Sequence, residues 1–421
     1  MDPFAREIVD FICSQLSDSL APFNGSAFAS YAVALNAMHP PLAPISKTPP
    51  DVPAAASGQR ERFAAAYAVL EAAIGERAFP GASFAVLSAN EIAAIDGVGR
   101  FTYDSWSPAV TRSTIYDLAS LTKVIAATSM AMMLFERGAL TLDQPIAEWL
   151  PQFMQDEGAG GIRSQVTVRM LLAHASGLPG YARLFESCRD RASLLAAAMR
   201  LPLEAVPGER AEYSDPGFIL LGELLEQIAG EPLENFCARE IFAPLRMTST
   251  CFRPPPTWVS SIAPSEEDRE FRHRVLQGEV QDENCFVMGG VSGHAGLFSN
   301  ALDPLLLARC LLDGGRVAGG GRLFSPETIT LFTTRANLPP GSSRALGWDT
   351  PSPPSSSGNY FHARSAGHLG YSGTSLGIDF ERPLAVALFT NRTWPHRESQ
   401  AIRSIRPRFH DAIVDAIRAS I

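Results

Sequence analysis

Ser120 and Lys123 stand three residues apart in the segment DLASLTK at 117–123. Residues at that spacing share a helix face, so a hydroxyl and an amine come within hydrogen-bond reach of each other. If the amine is neutral, it can take the proton from Ser120 as the oxygen attacks a carbonyl carbon. Lys123 is one of only two lysines in the chain, the other being Lys47; every remaining basic side chain is Arg. It precedes Val124, Ile125, Ala126, Ala127 and the apolar run SMAMML, which predicts a buried amine. Burial disfavours an ammonium, whereas an Arg at the same place would stay charged. The position therefore reads as one that needs a cation able to lose its proton. Bringing a Lys pKa from about 10.4 to about 7 costs roughly 4–5 kcal/mol, which desolvation and a neighbouring positive charge can supply. At a helix start, Ser120 would also have backbone N–H groups and the positive end of the helix dipole near the developing negative charge. The plainer reading makes Ser120 a helix cap and Lys123 a solvated charge.

These two side chains need a scaffold. A helical stripe runs through Phe4, Ile8, Ile12, Leu16 and Leu20, and a Pro-rich linker covers 39–58. From residue 60, Phe63, Tyr67, Leu70 and Ile74 mark a helix ending at Gly75, and 81–99 reads as two strands around the Ser88–Asn90 turn. The Ser120 helix should run to about Arg137 and stop at Gly138. Residues 140–275 read as mostly helical, strands return as TSLGIDF and LAVALFTN, and a last helix spans about 400–419. The expected fold is α+β. An antiparallel sheet built from both termini (59–119 and 276–421) is flanked by helices, with a mainly helical domain inserted at 120–275, and 1–58 forms an N-terminal helix and linker.

The totals exclude several classes. With 421 residues, 46% of them hydrophobic, the chain can bury a large core. A net charge of −9 without blocks of like charge offers no footprint for nucleic acid or an anionic membrane, so the expected partner is a small molecule or a peptide. The cysteines (Cys13, Cys188, Cys237, Cys251, Cys285 and Cys310) lack paired spacing and read as reduced thiols, and no His spacing suggests a metal or other cofactor. The N-terminus has acidic residues where a signal peptide needs basic ones, and no stretch reads as long enough to span a membrane, so a cytoplasmic protein is expected.

S-x-x-K gains specificity from its company: FPGASFAV at 79–86, LLAHASGLPGY at 171–181, EYSDPGFILLGELLE at 212–226, GGVSGHAGLFS at 289–299 and GHLGYSGTSLGID at 367–379. With these ordered landmarks the chain, over about residues 60–415, resembles the serine β-lactamase and penicillin-binding-protein superfamily. It is most similar to the branch of class C β-lactamases, D-alanyl-D-alanine carboxypeptidases, D-aminopeptidases and family VIII esterases. The resemblance implies a β-lactamase/transpeptidase-like fold and an acyl-enzyme on Ser120. It places the Y-x-N motif on Tyr213, Ser214 and Asp215, with Tyr213 as general base or acid. Asp215 departs from the family Asn; an anion there favours protonated Lys123 and repels carboxylate-bearing acyl groups. The K-T-G or H-T-G motif falls on His368, Leu369 and Gly370, where His368 can donate a hydrogen bond and Gly370 leaves space for substrate. The implied oxyanion hole is made by the backbone N–H groups of Ser120 and Tyr371, each donor worth roughly 3–4 kcal/mol in a transition state. Trp348 is expected to line the pocket beside a Pro/Ser-rich rim, and the HASG and GHAG segments to shape loops.

A rival nucleophile is Ser375, within the G-x-S-x-G stretch 373–377. The strand hairpin after it argues against an α/β-hydrolase elbow, which needs a helix there. A non-catalytic binding module would have no need of Ser120, Lys123 and Tyr213 together. Among substrates, short carboxylic esters rank first, D-amino-acid peptides or amides second and β-lactams third.

Overall fold

The computed structural model describes residues 57–155 and 161–419; the expected helix over 1–20, most of the Pro-rich linker, Lys47 and Cys13 lie outside them. Ten strands occur in the described residues. They are β1 (Gly81–Ser88), β2 (Glu91–Gly99), β3 (Tyr116–Asp117), β4 (Cys251–Phe252), β5 (Glu266–Asp268), β6 (Arg274–Leu276), β7 (Leu297–Ser299), β8 (Ser365–Leu369), β9 (Ser375–Asp379) and β10 (Leu384–Thr390). The main sheet has the order β2-β1-β10-β9-β8 with antiparallel neighbours, so an early and a late strand of the described residues, β1 and β10, meet at its centre. The fold is α+β as expected. The interval read as mostly helical also carries the β5–β6 hairpin and β4, which joins β3 and β7 in a small second sheet.

Both central strands, β1 and β10, are buried along most of their length because the sheet is covered on both faces. Phe84, Val86, Val386 and Leu388 pack with the helix Ala64–Gly75 and the C-terminal helix Ile402–Arg418; Ala85, Leu87, Ala387 and Phe389 point into the core around the Ser120 helix. The period-two alternation of a strand thus divides two cores. The β1–β2 turn places Ala89 and Asn90 at φ +49° and +67°, the left-handed pair that a two-residue hairpin turn requires.

The segment carrying Ser120 begins as a 3₁₀ turn over Ala119–Leu121, widens into π turns over Lys123–Thr128 and continues as a regular helix over Ser129–Glu136. It ends where expected, with Gly138 at φ +69°. π turns inside helices often mark functional sites. Contrary to the sequence reading, Ala119–Glu136 is long and apolar enough to cross a membrane; 83% of it is buried inside the fold, as in the core helix of a globular protein.

Candidate active site

The turn that presents Ser120 is held from several sides. Asp117 accepts the Ala119 N–H at 2.8 Å and the Gln281 N–H at 2.6 Å. Burial raises its pKa to about 6 against the lowering effect of those two bonds. Ala119 has φ +46°, a conformation costing of order 1 kcal/mol for a residue with a Cβ, and the Asp117 bond holds it there. Thr122 Oγ1 donates to the Ala119 carbonyl at 2.7 Å and accepts the Leu297 N–H at 3.1 Å. Ser120 faces a cavity of about 920 Å³.

Lys123 is 0% exposed, as its neighbours predicted. Its Nζ lies 3.0 Å from Ser120 Oγ, 2.6 Å from Asp215 Oδ1 and 3.1 Å from the His294 carbonyl. Three partners suit the three donors of an ammonium, and the carboxylate and carbonyl can only accept. Burial alone would lower the Lys123 pKa, but the Asp215 charge and then Tyr213 outweigh it, and the amine is held above its ordinary value. Of the two influences read from the sequence, burial toward a neutral amine and the Asp215 anion toward an ammonium, the carboxylate decides the charge at rest.

Tyr213 and Asp215 are placed by a helix start. Ser214 caps the helix Asp215–Ala229: its Oγ accepts the Gly217 N–H at 3.0 Å and donates to the Pro179 carbonyl at 2.7 Å. The Ser214 N–H donates to His174 Nδ1 at 3.0 Å, and the His174 ring lies 4.6 Å from the Tyr213 ring. His174, in the HASG segment, therefore shapes the loop that carries Tyr213. Lys123 Nζ stands 4.8 Å from the centre of the Tyr213 ring; burial raises the Tyr213 pKa and outweighs the lowering pull of Lys123, so it is a phenol at neutral pH.

The GHAG segment contributes a relay the sequence reading missed. Ser292 Oγ pairs with His294 Nδ1 at 2.8 Å, and His294 Nε2 with Asp282 Oδ1 at 2.9 Å. These bonds fix the residue whose carbonyl faces Lys123. Burial would raise the Asp282 pKa, but His294 and the Cys285 N–H bring it down to about 2. The partners are separated by up to 171 positions from Lys123, so no local spacing could reveal them.

On the opposite wall, the turn after β8 is clipped to the Ser120 turn: Ser372 Oγ donates to the Asp117 carbonyl at 2.7 Å and Thr374 Oγ1 to the Leu118 carbonyl at 3.0 Å. This puts Tyr371 on the cavity beside Ser120, with its N–H bonded to no acceptor among the described residues. Gly370 lies on the cavity wall and also serves a second end. A Cβ there would sit 1.9 Å from Thr374 Oγ1 and 2.5 Å from the Leu118 carbonyl, so the glycine makes room for the chain's own backbone. His368 differs from the expectation. Its Nδ1 lies 2.9 Å from the Leu369 carbonyl, which can only accept, so in the neutral ring Nδ1 carries the hydrogen and Nε2 is an unpartnered acceptor. Burial, then Lys123 and Arg344, lower its pKa to about 3, which keeps it neutral. Trp348 does not line the cavity; it is 1% exposed and belongs to the core, while Pro351, Ser352 and Ser355 of the following loop do form the rim. Ser375 lies within β9 and donates to the Leu388 carbonyl at 3.4 Å, in a strand–turn–strand context unlike a nucleophile elbow. Arg344 was not foreseen: its guanidinium stands 5.4 Å from the Tyr213 ring and lines the cavity. No group of three or more His, Cys, Asp or Glu among the described residues could hold a metal ion.

A hydroxyl, an ammonium, a carboxylate and a phenol thus converge at one end of a cavity, an arrangement suited to acyl transfer. The Beta-lactamase family model matches residues 66–406. The chain belongs to the beta-lactamase family. Relatives of this family member include the "Putative D-alanyl-D-alanine carboxypeptidase" of Escherichia coli (strain K12), 33% identical over 313 residues that cover 68% of this chain and 70% of the relative. The N-acetylmuramyl-L-alanine amidase of Bacillus subtilis (strain 168) is 32% identical over 304 residues, covering 66% and 68%. The fold resembles EstCE1, a hydrolase with promiscuous acyltransferase activity, at TM-score 0.67 and 22% identity over 85% of this chain and all of that one. It also resembles a penicillin-binding protein homologue from Caulobacter crescentus, at TM-score 0.67 and 21% identity over 89% and 100%. This beta-lactamase-family chain is a serine hydrolase.

Proposed function

We propose that the protein hydrolyses short carboxylic esters through an acyl-enzyme on Ser120. The observation that carries this is the 3.0 Å approach of Lys123 Nζ to Ser120 Oγ in a buried site where the amine also meets a carboxylate. Ser120 Oγ attacks the carbonyl carbon; its proton passes to Lys123 Nζ as Nζ gives a proton to Asp215 Oδ1. The oxyanion forms against the N–H groups of Ser120 and Tyr371. The Tyr213 phenol protonates the leaving oxygen and recovers its proton from Lys123, which takes one back from Asp215. Water then enters by the same proton route and releases the acid, leaving Ser120 free.

Two observations favour a second reading, hydrolysis of D-alanyl peptides. Arg344, 3.4 Å from Asp349, places beside Tyr213 a cation that the His368-Leu369-Gly370 motif lacks, and its remaining donors suit a terminal carboxylate. A relative at 33% identity also bears a carboxypeptidase name. Assays with p-nitrophenyl acetate and with a peptide ending in D-alanyl-D-alanine, on wild type and Ser120→Ala, decide between the two. Turnover of the ester alone, lost in Ser120→Ala, is expected; turnover of neither substrate would overturn both readings.

A further inference from the structure

The cavity that begins at Ser120 continues past β8 and β9 to the C-terminal helix, where its wall turns cationic. Arg406, on that helix, is 4% exposed, its Nε has no hydrogen-bond partner, and the residue lines the cavity. Arg392 and Arg403 line the same cavity, and the Arg392 charge acts on Arg406. Arg392 spends its Nε and Nη1 on the backbone carbonyls of Tyr371, Arg397 and Ser399. No carboxylate among the described residues pairs with any of the three, whereas the neighbouring Arg397 is neutralised by Glu266 and Glu283. One helical turn beyond Arg406, His410 is also buried on the cavity wall, and its Nδ1 has no partner.

A buried guanidinium without a counter-ion is costly, and a second cation beside it adds repulsion. Buried Arg272 has Asp268 at 2.6 Å, whereas no carboxylate among the described residues is placed against Arg406. Gly377 lets Phe361 and His410 pack closely over β9 on the same wall, since a Cβ there would come 3.1 Å from Phe361 and 3.6 Å from His410. Burial, then Arg392, lower the Arg406 pKa to about 10, so it keeps its charge at neutral pH.

We infer that the end of the cavity remote from Ser120 binds an anionic group, a carboxylate or a phosphate, carried by the far end of the substrate, with Arg406 as its central ligand flanked by Arg392 and Arg403. The inference rests on the reading of Ser120 as the nucleophile only for the identity of the ligand as substrate. An anionic tail held there repays the buried charge and orients the acyl bond at Ser120.

The test compares p-nitrophenyl monoesters of linear dicarboxylic acids of increasing length with the same esters capped by a methyl group. Wild type is expected to favour one free-carboxylate length by at least tenfold in kcat/KM, and Arg406→Met to reduce that preference at least tenfold, chiefly through KM. Arg403→Gln, at an exposed position, should reduce it about threefold. Equal rates on charged and capped esters at every length, or a preference that survives in Arg406→Met, would overturn the proposal. Calorimetry on Ser120→Ala with inorganic phosphate and with suberate needs no turnover, so it reads the anion site even if the ester reading fails. The tighter binder distinguishes phosphate from carboxylate, and loss of binding in Ser120→Ala/Arg406→Met supports the site. Binding of neither, or phosphate binding that does not compete with the charged ester, would overturn the assignment.

Discussion

In the proposed mechanism Lys123 and Asp215 together activate Ser120. The amine is buried, yet the carboxylate 2.6 Å away holds it protonated, so on this proposal the serine proton is accepted by the lysine–aspartate pair and not by the lysine alone. Arg at position 123 would keep the charge but could not pass a proton. Lys123→Arg is therefore expected to lower kcat by about 10³-fold or more, with ester turnover as the readout; near-normal turnover would show that Lys123 acts only as a charge. In Asp215→Asn the raising influence on Lys123 disappears and burial is left to lower its pKa. With the carboxylate gone, the proton acceptor becomes the amine, so the acidic limb of the kcat/KM profile should move to higher pH and the rate at pH 7 fall by about tenfold or more. An unmoved limb would assign it to a different group. At this scale the S-x-x-K spacing made Ser120 and Lys123 legible, because three residues along one helix are neighbours in any fold. Asp215 was legible as a departure from the family Asn, and its effect on the lysine followed. His294 and Asp282 were not, since they meet Lys123 only through the fold.

The clip between the Ser120 turn and the turn after β8 brings together two segments far apart in the chain. Gly370 permits the approach, and Gly370→Ala should push the Thr374 side chain and the Leu118 carbonyl apart and carry the Tyr371 N–H away from Ser120. The expected result is a kcat lower by about 10²-fold, the size of losing one oxyanion donor, with KM changed far less. A wild-type kcat would remove Tyr371 from the oxyanion hole. Trp348 shows where element-level reading fails. Its neighbours on the Pro/Ser-rich side do line the cavity, but side-chain direction is set by the packed core, which adjacency in sequence does not reveal. Trp348→Ala should cost about 3–5 kcal/mol of stability in denaturant unfolding while leaving KM near wild type; a large rise in KM with intact stability would return it to the pocket.

The whole molecule carries a buried acid whose charge state sets a pH dependence of stability. Asp303 accepts bonds from Ser249 and Thr250, and burial raises its pKa to about 7. The folded protein therefore holds a proton that the unfolded chain releases near pH 4, and stability falls as pH rises from about 4 through about 7. Asp303→Asn resembles the protonated acid, so its Tm is expected to match wild type near pH 4 and exceed it at pH 8; a variant less stable at pH 8 would mean the ionised carboxylate is supported. The antiparallel sheet from both chain ends was legible in the alternation and turns of 81–99 and 375–390. The cationic far wall was not, because Arg392, Arg403 and Arg406 look like ordinary surface arginines until the helix is laid against the sheet. The central claim, a covalent acyl-enzyme on Ser120, is tested most directly by intact-mass and peptide mass spectrometry of protein acid-quenched during turnover of a slow p-nitrophenyl ester. The account predicts one acyl adduct, on the peptide carrying Ser120 and absent from Ser120→Ala. An adduct on Ser375 instead, or undiminished turnover by Ser120→Ala, would contradict it.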